Sequence, residues 1–184
     1  TGRIGMNNRE KTLWMTRTAV FIALLVAVQA LTAPLGNTII TGTLVNALLI
    51  LSVMTCSVMS GATVAVISPI MAKLVGIGPL WGLIPFIALG NIVLVLVWHF
   101  LGNRDAGKWY ASGTAALVAA AVAKFLTLYV GIAKVAVPLL LRLPEPQASV
   151  ISGMFSMPQL ITALLGGVVA LPVIHAVRRA FLKP

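Results

Sequence analysis

The sequence predicts an all-α fold, an integral membrane bundle of six transmembrane helices that forms a single membrane domain over residues 1–184. Hydrophobic residues make up 60% of the chain, charged residues make up 9%, and the mean hydropathy is +1.07. Water-soluble domains carry about 25% charged residues. No charged residue occurs between Arg17 and Lys73. These apolar stretches lack the strict alternation that a transmembrane β-barrel requires.

The boundaries of the spans follow from helix length and loop signals. A hydrocarbon core of about 30 Å requires about 20 residues of helix. Turn-forming residues at Pro34–Asn37, Gly76–Pro79 and Arg142–Gln147 separate the apolar stretches. The fifth stretch is too long for one straight crossing, so we expect Gly131 or Pro138 to break it. We expect spans at about 16–33, 42–57, 60–75, 80–101, 109–137 and 150–177.

The net charge of +10 is concentrated at the two ends of the chain and in the fourth loop. Basic residues are retained on the cytoplasmic side of membranes, and an even number of spans then places both termini in the cytoplasm. No basic face is interleaved with base-stacking aromatic residues, so nucleic acid is not an expected partner. We expect no cleavable signal peptide. The basic residues at the two ends and in the fourth loop are Arg3, Arg9, Lys11, Arg17, Arg104, Lys108, Arg178, Arg179 and Lys183.

Catalytic and ion-coupling groups are not predicted inside the spans. The only acidic residues are Glu10, Asp105 and Glu145, all in loops or near a terminus. Proton or sodium coupling, metal binding and hydrolysis normally need carboxylates or histidines within the bundle. The segment Gly102–Lys108 has phosphate-loop spacing, but Trp109 stands where a Ser or Thr is required. We therefore predict no enzyme activity, no metal and no cofactor in this chain.

Polar and cationic side chains nevertheless occur inside the predicted spans, where lipid disfavours them. Lys124 lies near the middle of the fifth span, and no span contains an acidic residue to pair with it. A cavity whose ligand brings the negative charge would stabilise such an ammonium group. The candidate substrate-binding residues are Asn46, Lys73, Trp81, Asn91, Lys124, Tyr129, Lys134, Ser156 and Gln159.

Structural roles are also open for several of these residues. Lys73 and Lys134 lie toward helix ends, from which their ammonium groups can reach the interface. Asn91 and Gln159 can bridge helices. Trp81 and Tyr129 suit an interfacial belt as well as a ligand wall.

Small residues mark one face of the first helix. Ala19, Ala23 and Ala27 recur at every fourth position, so they share a face that another helix can approach closely. That helix is either a neighbour within the bundle or part of a partner membrane protein. The loop after this helix suits a mobile gate, formed by Gly36, Asn37, Thr38 and Thr41.

The opening helix, Thr16–Ala27, resembles that of the substrate-binding S components of energy-coupling-factor (ECF) transporters. Those proteins have six helices, about this chain length and an alanine-xxx-alanine motif on the first helix. The segments Gly76–Trp81 and Pro85–Asn91 are also similar to that superfamily.

The resemblance implies a function and a set of partners. An S component captures a vitamin-like molecule from outside in the cytoplasmic membrane of a prokaryote. Ala19, Ala23 and Ala27 would dock on a transmembrane coupling protein, the T component. Two cytoplasmic ATPases would supply the energy, so ATP and Mg²⁺ belong to those partners. The unpaired lysines favour an anionic ligand such as pantothenate, folate, niacin, lipoate or a flavin phosphate.

Two alternatives from other functional classes remain open. The first is a small integral subunit that scaffolds or anchors a larger complex, in which the alanine strip is the whole function and no cavity exists. The second is a channel or exporter subunit, which requires a continuous water path through the chain or an oligomer of it.

Overall fold

The computed structural model describes residues 8–102 and 109–181, and within these ranges the secondary structure is helical, without strands. The predicted all-α class is therefore confirmed. Five helical segments are long and apolar enough to cross a membrane: Asn8–Leu35, Thr38–Thr55, Trp81–Gly102, Ser112–Leu141 and Gln147–Ala180. The helix Val58–Leu74, with 17 residues, is about 26 Å long and falls slightly short of a full crossing.

The helices follow one another with short connections. Most of the fourth-loop segment, including Arg104, Asp105 and Lys108, lies outside the described residues, as do Arg3 and Lys183. The helices are α1 (Asn8–Thr32), α2 (Thr38–Thr55), α3 (Val58–Leu74), α4 (Ile84–Gly102), α5 (Trp109–Leu128), α6 (Gln147–Met154) and α7 (Met157–Phe181). Single 3₁₀ turns follow α1 at Ala33–Leu35 and precede α4 at Trp81–Leu83.

The start of α2 differs from the prediction. The helix begins at Thr38, four residues before the expected boundary, because the Asn37 side chain caps it. Asn37 Oδ1 accepts hydrogen bonds from the backbone N–H groups of Ile39 and Ile40, at 3.0 and 3.3 Å. Gly36 adopts a left-handed conformation, with φ of 62°, that reverses the chain before this cap. Only two residues therefore separate the 3₁₀ turn from α2.

We expected a break in the fifth helix at Gly131 or Pro138. The helix instead continues through both residues in a wider form. From Tyr129 to Leu141 its hydrogen bonds follow the π-helical pattern. Proline has no N–H and crowds the carbonyl four residues earlier in an α-helix, and the wider π turn accommodates Pro138. Gly131 serves packing, because a Cβ atom there would lie 2.9 Å from Phe86 Cδ1 on α4.

The predicted sixth span is interrupted, contrary to the expectation of one continuous helix. It divides into α6 and α7 at Phe155–Ser156. Proline is tolerated best in the first turn of a helix, and Pro158 is the second residue of α7. Ser156 Oγ donates a hydrogen bond to the Gly153 carbonyl oxygen, at 2.8 Å, and stabilises the break.

The packing places α2 at the centre of the bundle, in contact with α1, α3, α4 and α7, while α5 packs between α4 and α7. The main core cluster fills the half of the bundle that contains the α2–α3 turn; it includes Leu49, Ile50, Leu94, Trp98 and Ile174, each at most 1% exposed. Large apolar side chains such as Leu31, Phe100 and Leu139 are exposed on the outer surface. An apolar exterior around a packed core is typical of a multi-pass membrane protein.

Candidate functional site

A cavity of about 310 Å³ opens at the end of the bundle where α1 ends and α2 begins. Residues from α1 to α5 and from the α6–α7 break line it. Its rim includes Gly36, Asn37 and Thr38, together with Pro79 on the α3–α4 connection. Lys124, Asn46 and Asn91 also line it, on three different helices. Asn46 lies eight residues beyond Thr38, which places it about 12 Å from the start of α2.

Lys124 is the central group of this cavity. Its side chain is only 3% exposed. Its Nζ atom donates hydrogen bonds to Asn46 Oδ1 at 2.6 Å and to Asn91 Oδ1 at 2.7 Å. Asn46 and Asn91 are 1% and 3% exposed, so the three polar groups are buried together. The bonds are short, as expected for charged donors, and they join α5 to α2 and α4.

The amide of Asn46 is held in position from the other side by α7. Asn46 Nδ2 donates to Thr162 Oγ1 at 3.3 Å. Thr162 Oγ1 in turn donates to the Gln159 carbonyl oxygen at 3.2 Å, so it accepts from Asn46. This chain of bonds assigns the amide nitrogen to Thr162 and leaves the amide oxygen to Lys124.

Glycines bring α2 and α7 close together at this point. A Cβ atom at Gly166 would lie 2.6 Å from Asn46 Cβ and 2.9 Å from the Thr43 carbonyl oxygen. A Cβ atom at Gly42 would lie 2.8 Å from Thr162 Cγ2. Small residues at helix crossings permit such close backbone approach in membrane bundles. The position of Asn46 therefore depends on having no side chain at Gly166.

The amide of Asn91 is oriented by the backbone of α3. Asn91 Nδ2 donates to the Ala65 carbonyl oxygen at 3.4 Å. In a regular helix that carbonyl would accept from the N–H four residues later, but that residue is Pro69, which lacks an N–H. The proline leaves an acceptor inside the bundle, and the Asn91 amide takes it.

Lys124 keeps one donor for a ligand. An ammonium group has three N–H donors, and only two have partners among the described residues. Among the described residues that line the cavity, Lys124 is the only charged one. Its two partners are neutral amides, which supply hydrogen bonds but no negative charge. An anion that entered the cavity would stabilise a buried cation in this setting.

Two further polar atoms along the cavity lack hydrogen-bond partners in the described parts of the chain. They are Gln29 Oε1 on α1 and Ser68 Oγ on α3, and both atoms are buried. The walls between the polar groups are apolar and include Leu128 and Phe155. Buried polar groups are normally paired, so unpaired ones that line a cavity mark positions for ligand contacts.

The four predicted gate residues all lie at the cavity rim, although Thr38 and Thr41 belong to α2 and not to a loop. Thr41 Oγ1 donates to Thr32 Oγ1 at 2.7 Å and connects the first turn of α2 to the end of α1. The connection is therefore shorter and more strongly held than a long flexible loop.

The predicted binding residues divide into two groups. Asn46, Asn91, Lys124 and Gln159 line the cavity. The other five do not line it, and four of them have local interactions. Lys73 Nζ donates to the Gly78 carbonyl oxygen at 3.4 Å, Ser156 contacts Gly153, and Lys134 Nζ lies 5.3 Å from the centre of the Tyr129 ring. Trp81 is 55% exposed on the outer surface.

Sequence reasoning missed Gln29, Ser68 and Thr162. Each is a single polar residue in an apolar helix, and such residues commonly bond the backbone of their own helix, as Thr127 does with Ala123. For Ser68, the proline that follows it was the available signal.

The alanine strip on α1 lies on the outer surface. Ala19, Ala23 and Ala27 are all exposed, whereas Thr18 and Leu25 are buried against the bundle. Within the described residues, the strip is therefore free of packing against other helices of this chain. The alternative that these alanines serve packing inside the bundle is not supported.

A second, larger groove of about 630 Å³ lies at the other end of α1. Leu13, Trp14, Arg17 and the α2–α3 turn at Cys56 and Ser57 line it. Its charged lining residues, Glu10 and Arg17, are exposed. We consider the smaller cavity the candidate site because it alone contains a buried cation held by oriented partners.

Comparison of the chain with protein-family models, with curated proteins and with solved structures finds no match.

Proposed function

We propose that this protein is the membrane-embedded binding subunit, or S component, of an ECF-type importer, and that it binds an anionic vitamin-like molecule. In this proposal six helices cross the cytoplasmic membrane of a prokaryote and both termini are cytoplasmic. The cavity then opens to the outside, because its rim consists of the connections that the charge distribution assigns to that side. Solute enters there and binds at Lys124.

The observation that carries the proposal is the Lys124 network at the cavity. Two amide oxygens, at 2.6 and 2.7 Å, hold the ammonium group, and it has no carboxylate partner among the described residues. A purely structural lysine in a membrane bundle would be expected to pair with an acid or to extend to the interface. Lys124 does neither. Its environment supports the binding of an anion from outside.

The energy for uptake would come from partner proteins. The sequence places no carboxylate within the spans, and carboxylates are the groups that most commonly couple transport to protons or sodium. The exposed face of Ala19, Ala23 and Ala27 offers a smooth surface to a transmembrane coupling protein. Two cytoplasmic ATPases bound to that protein would hydrolyse ATP.

The two alternatives have less support. A scaffold needs no cavity, yet a cavity lies beside the buried lysine. A channel needs a continuous water path, whereas Leu49, Leu94 and Trp98 fill the bundle between the cavity and the α2–α3 turn. A binding subunit that opens to one side at a time agrees better with both observations.

The proposal is tested with the full chain purified in mild detergent. Native mass spectrometry of this sample should detect a bound small molecule that is reduced or absent in Lys124→Met. Reconstitution with a coupling protein and its two ATPases should then give ATP-dependent uptake of that molecule into vesicles. A chain that retains no solute and forms no complex with the coupling protein would contradict the proposal.

A further inference from the structure

The cavity limits both the charge and the size of its ligand. We propose that the ligand is a small amphipathic monocarboxylate, bound with its carboxylate against Lys124. This inference rests on the proposed function only in that the cavity binds a solute. It narrows the anionic molecules considered above to those with a single negative charge and a compact body.

The charge of the ligand is inferred from the residues that line the cavity. Lys124 is the only charged one, and its ammonium has a single N–H without a partner in the described parts of the chain. A monocarboxylate neutralises this one positive charge. A dianion, such as a phosphate ester, would leave one negative charge buried without a counter-charge, and this is strongly unfavourable in a low-dielectric site.

Lys73 is one candidate for a second positive charge, and its position argues against that role. Its Nζ atom contacts the Gly78 carbonyl oxygen at 3.4 Å, and the residue is not part of the lining. Lys134 lies over the Tyr129 ring and is exposed. The site therefore provides one charge, although three lysines occur in or near the spans.

The size of the ligand is inferred from the volume of the cavity. The cavity volume is about 310 Å³. This is near the lower limit of ligand pockets, which span about 300–1,000 Å³. A volume at this lower limit favours compact acids such as nicotinate, pantothenate and lipoate over folate and flavin phosphates, which are larger molecules.

The walls define the rest of the molecule. Leu25, Val45, Ile87, Leu128 and Phe155 provide apolar surface around the polar end. They suit a hydrocarbon chain or an aromatic ring attached to the carboxylate.

The test uses pairs of compounds that differ only in the charged group. Nicotinate and nicotinamide, pantothenate and pantothenol, and lipoate and lipoamide are titrated against the full chain in detergent. Folate and flavin mononucleotide represent large dianions. Binding is measured from the rise of the thermal unfolding midpoint with ligand concentration. At least one of the three acids should bind, with an affinity at least tenfold higher than that of its uncharged partner.

Two variants locate the effect. Lys124→Met should lower the affinity for the acid at least tenfold and leave the affinity for the uncharged partner unchanged. Lys73→Met should bind the acid with the same affinity as the unchanged chain. The comparison of acid with uncharged partner uses the unchanged chain alone, so it remains valid if Lys124→Met fails to fold.

Several results would overturn the inference: equal affinity for acid and uncharged partner, tightest binding of folate or flavin mononucleotide, or no binding of any of the three acids. These outcomes are separable from failure of the proposed function. A large dianion that binds and is taken up with the ATPases would refute only the ligand class. A monocarboxylate that binds to a chain unable to join a coupling protein would refute only the transport role.

Discussion

The side chain of Asn91 and the backbone of Ala65 form a hydrogen bond, Nδ2 to O at 3.4 Å, that exists because of a proline four residues after the alanine. Pro69 provides no N–H, so the Ala65 carbonyl needs another donor. The Asn91 amide supplies that donor, and its oxygen is then directed at Lys124, 2.7 Å away. A helix defect in α3 thus orients a group of the candidate site on α4.

Replacement of this proline gives the first prediction. In Pro69→Ala the new N–H competes with Asn91 for the Ala65 carbonyl. The unfolding free energy should rise by about 1–3 kcal/mol, because alanine is far better than proline inside a helix. The affinity for the best-binding acid should fall, because the Asn91 amide loses its fixed orientation. Thermal unfolding with and without that acid measures both effects.

Pro172→Ala is the matched control for Pro69→Ala. Pro172 also lies inside a helix, α7, but it is exposed and does not line the cavity. Its replacement should raise stability without changing ligand affinity. If Pro69→Ala bound the acid as well as the control does, the proline would have no role in positioning Asn91.

The second prediction concerns the coupling of Lys124 with Asn91. Asn91→Leu leaves a buried ammonium with one acceptor and should destabilise the protein by about 1–3 kcal/mol, the cost of a buried donor that loses its partner. Lys124→Met leaves two amide oxygens without their donor, and each should lower the free energy of unfolding by about 1–3 kcal/mol. The double variant should be at least 1 kcal/mol more stable than the sum of the single effects predicts. Thermal or denaturant unfolding of the four proteins closes this cycle, and additive effects would show that the groups do not interact energetically.

The third prediction tests the close approach of α2 and α7. Gly166→Ala should destabilise the protein by about 1–3 kcal/mol, since the added methyl overlaps Asn46 Cβ and the Thr43 carbonyl. Gly153→Ala on α6 is the control, because a Cβ atom there meets nothing within 4 Å. That control should be neutral or stabilising by up to about 1 kcal/mol. Equal stability of the two variants, measured in the same detergent, would mean that α7 moves away from Asn46 easily.

The fold class and the central residue were predictable from the sequence for a simple physical reason. Long uncharged stretches specify membrane helices, and a lysine in the middle of one requires a polar partner wherever it is placed. The partners themselves were less predictable. Asn46 and Asn91 were identified as polar residues in lipid, but their bonds to Lys124 depend on helix contacts that no local pattern encodes.

The differences between the prediction and the structure have physical causes as well. Lys73 and Tyr129 were predicted to bind the ligand, and neither lines the cavity. Periodicity in an almost wholly apolar helix does not show which side faces the bundle. The break at Phe155–Ser156 was missed because the apolar stretch continues through it, although Pro158 marked the start of α7.

The fourth prediction concerns a buried hydroxyl group along the cavity that has no hydrogen-bond partner among the described residues, that of Ser68. Ser68 is 1% exposed, and its hydroxyl oxygen has no partner in the described parts of the chain. Ser68→Ala removes this unpaired polar group, so the stability of the ligand-free chain should stay equal or rise by up to about 1 kcal/mol. If the ligand bonds this hydroxyl, its affinity should fall about 3- to 10-fold, at roughly 1 kcal/mol for one hydrogen bond. A large loss of ligand-free stability would show that the hydroxyl is already paired within the fold.

The fifth prediction separates ligand binding from docking. Ala23 lies on the exposed face of α1, away from the cavity lining. Ala23→Trp should leave the affinity for the acid within about 2-fold of its original value and should block association with the coupling protein, because a bulky ring prevents close helix approach. Val118→Trp, at an exposed position on α5, is the control and should permit both. Affinity is measured by thermal shift and association by co-purification of the complex. Loss of binding and association together in Ala23→Trp would indicate damage to the fold, and intact association would place the docking surface elsewhere on the protein.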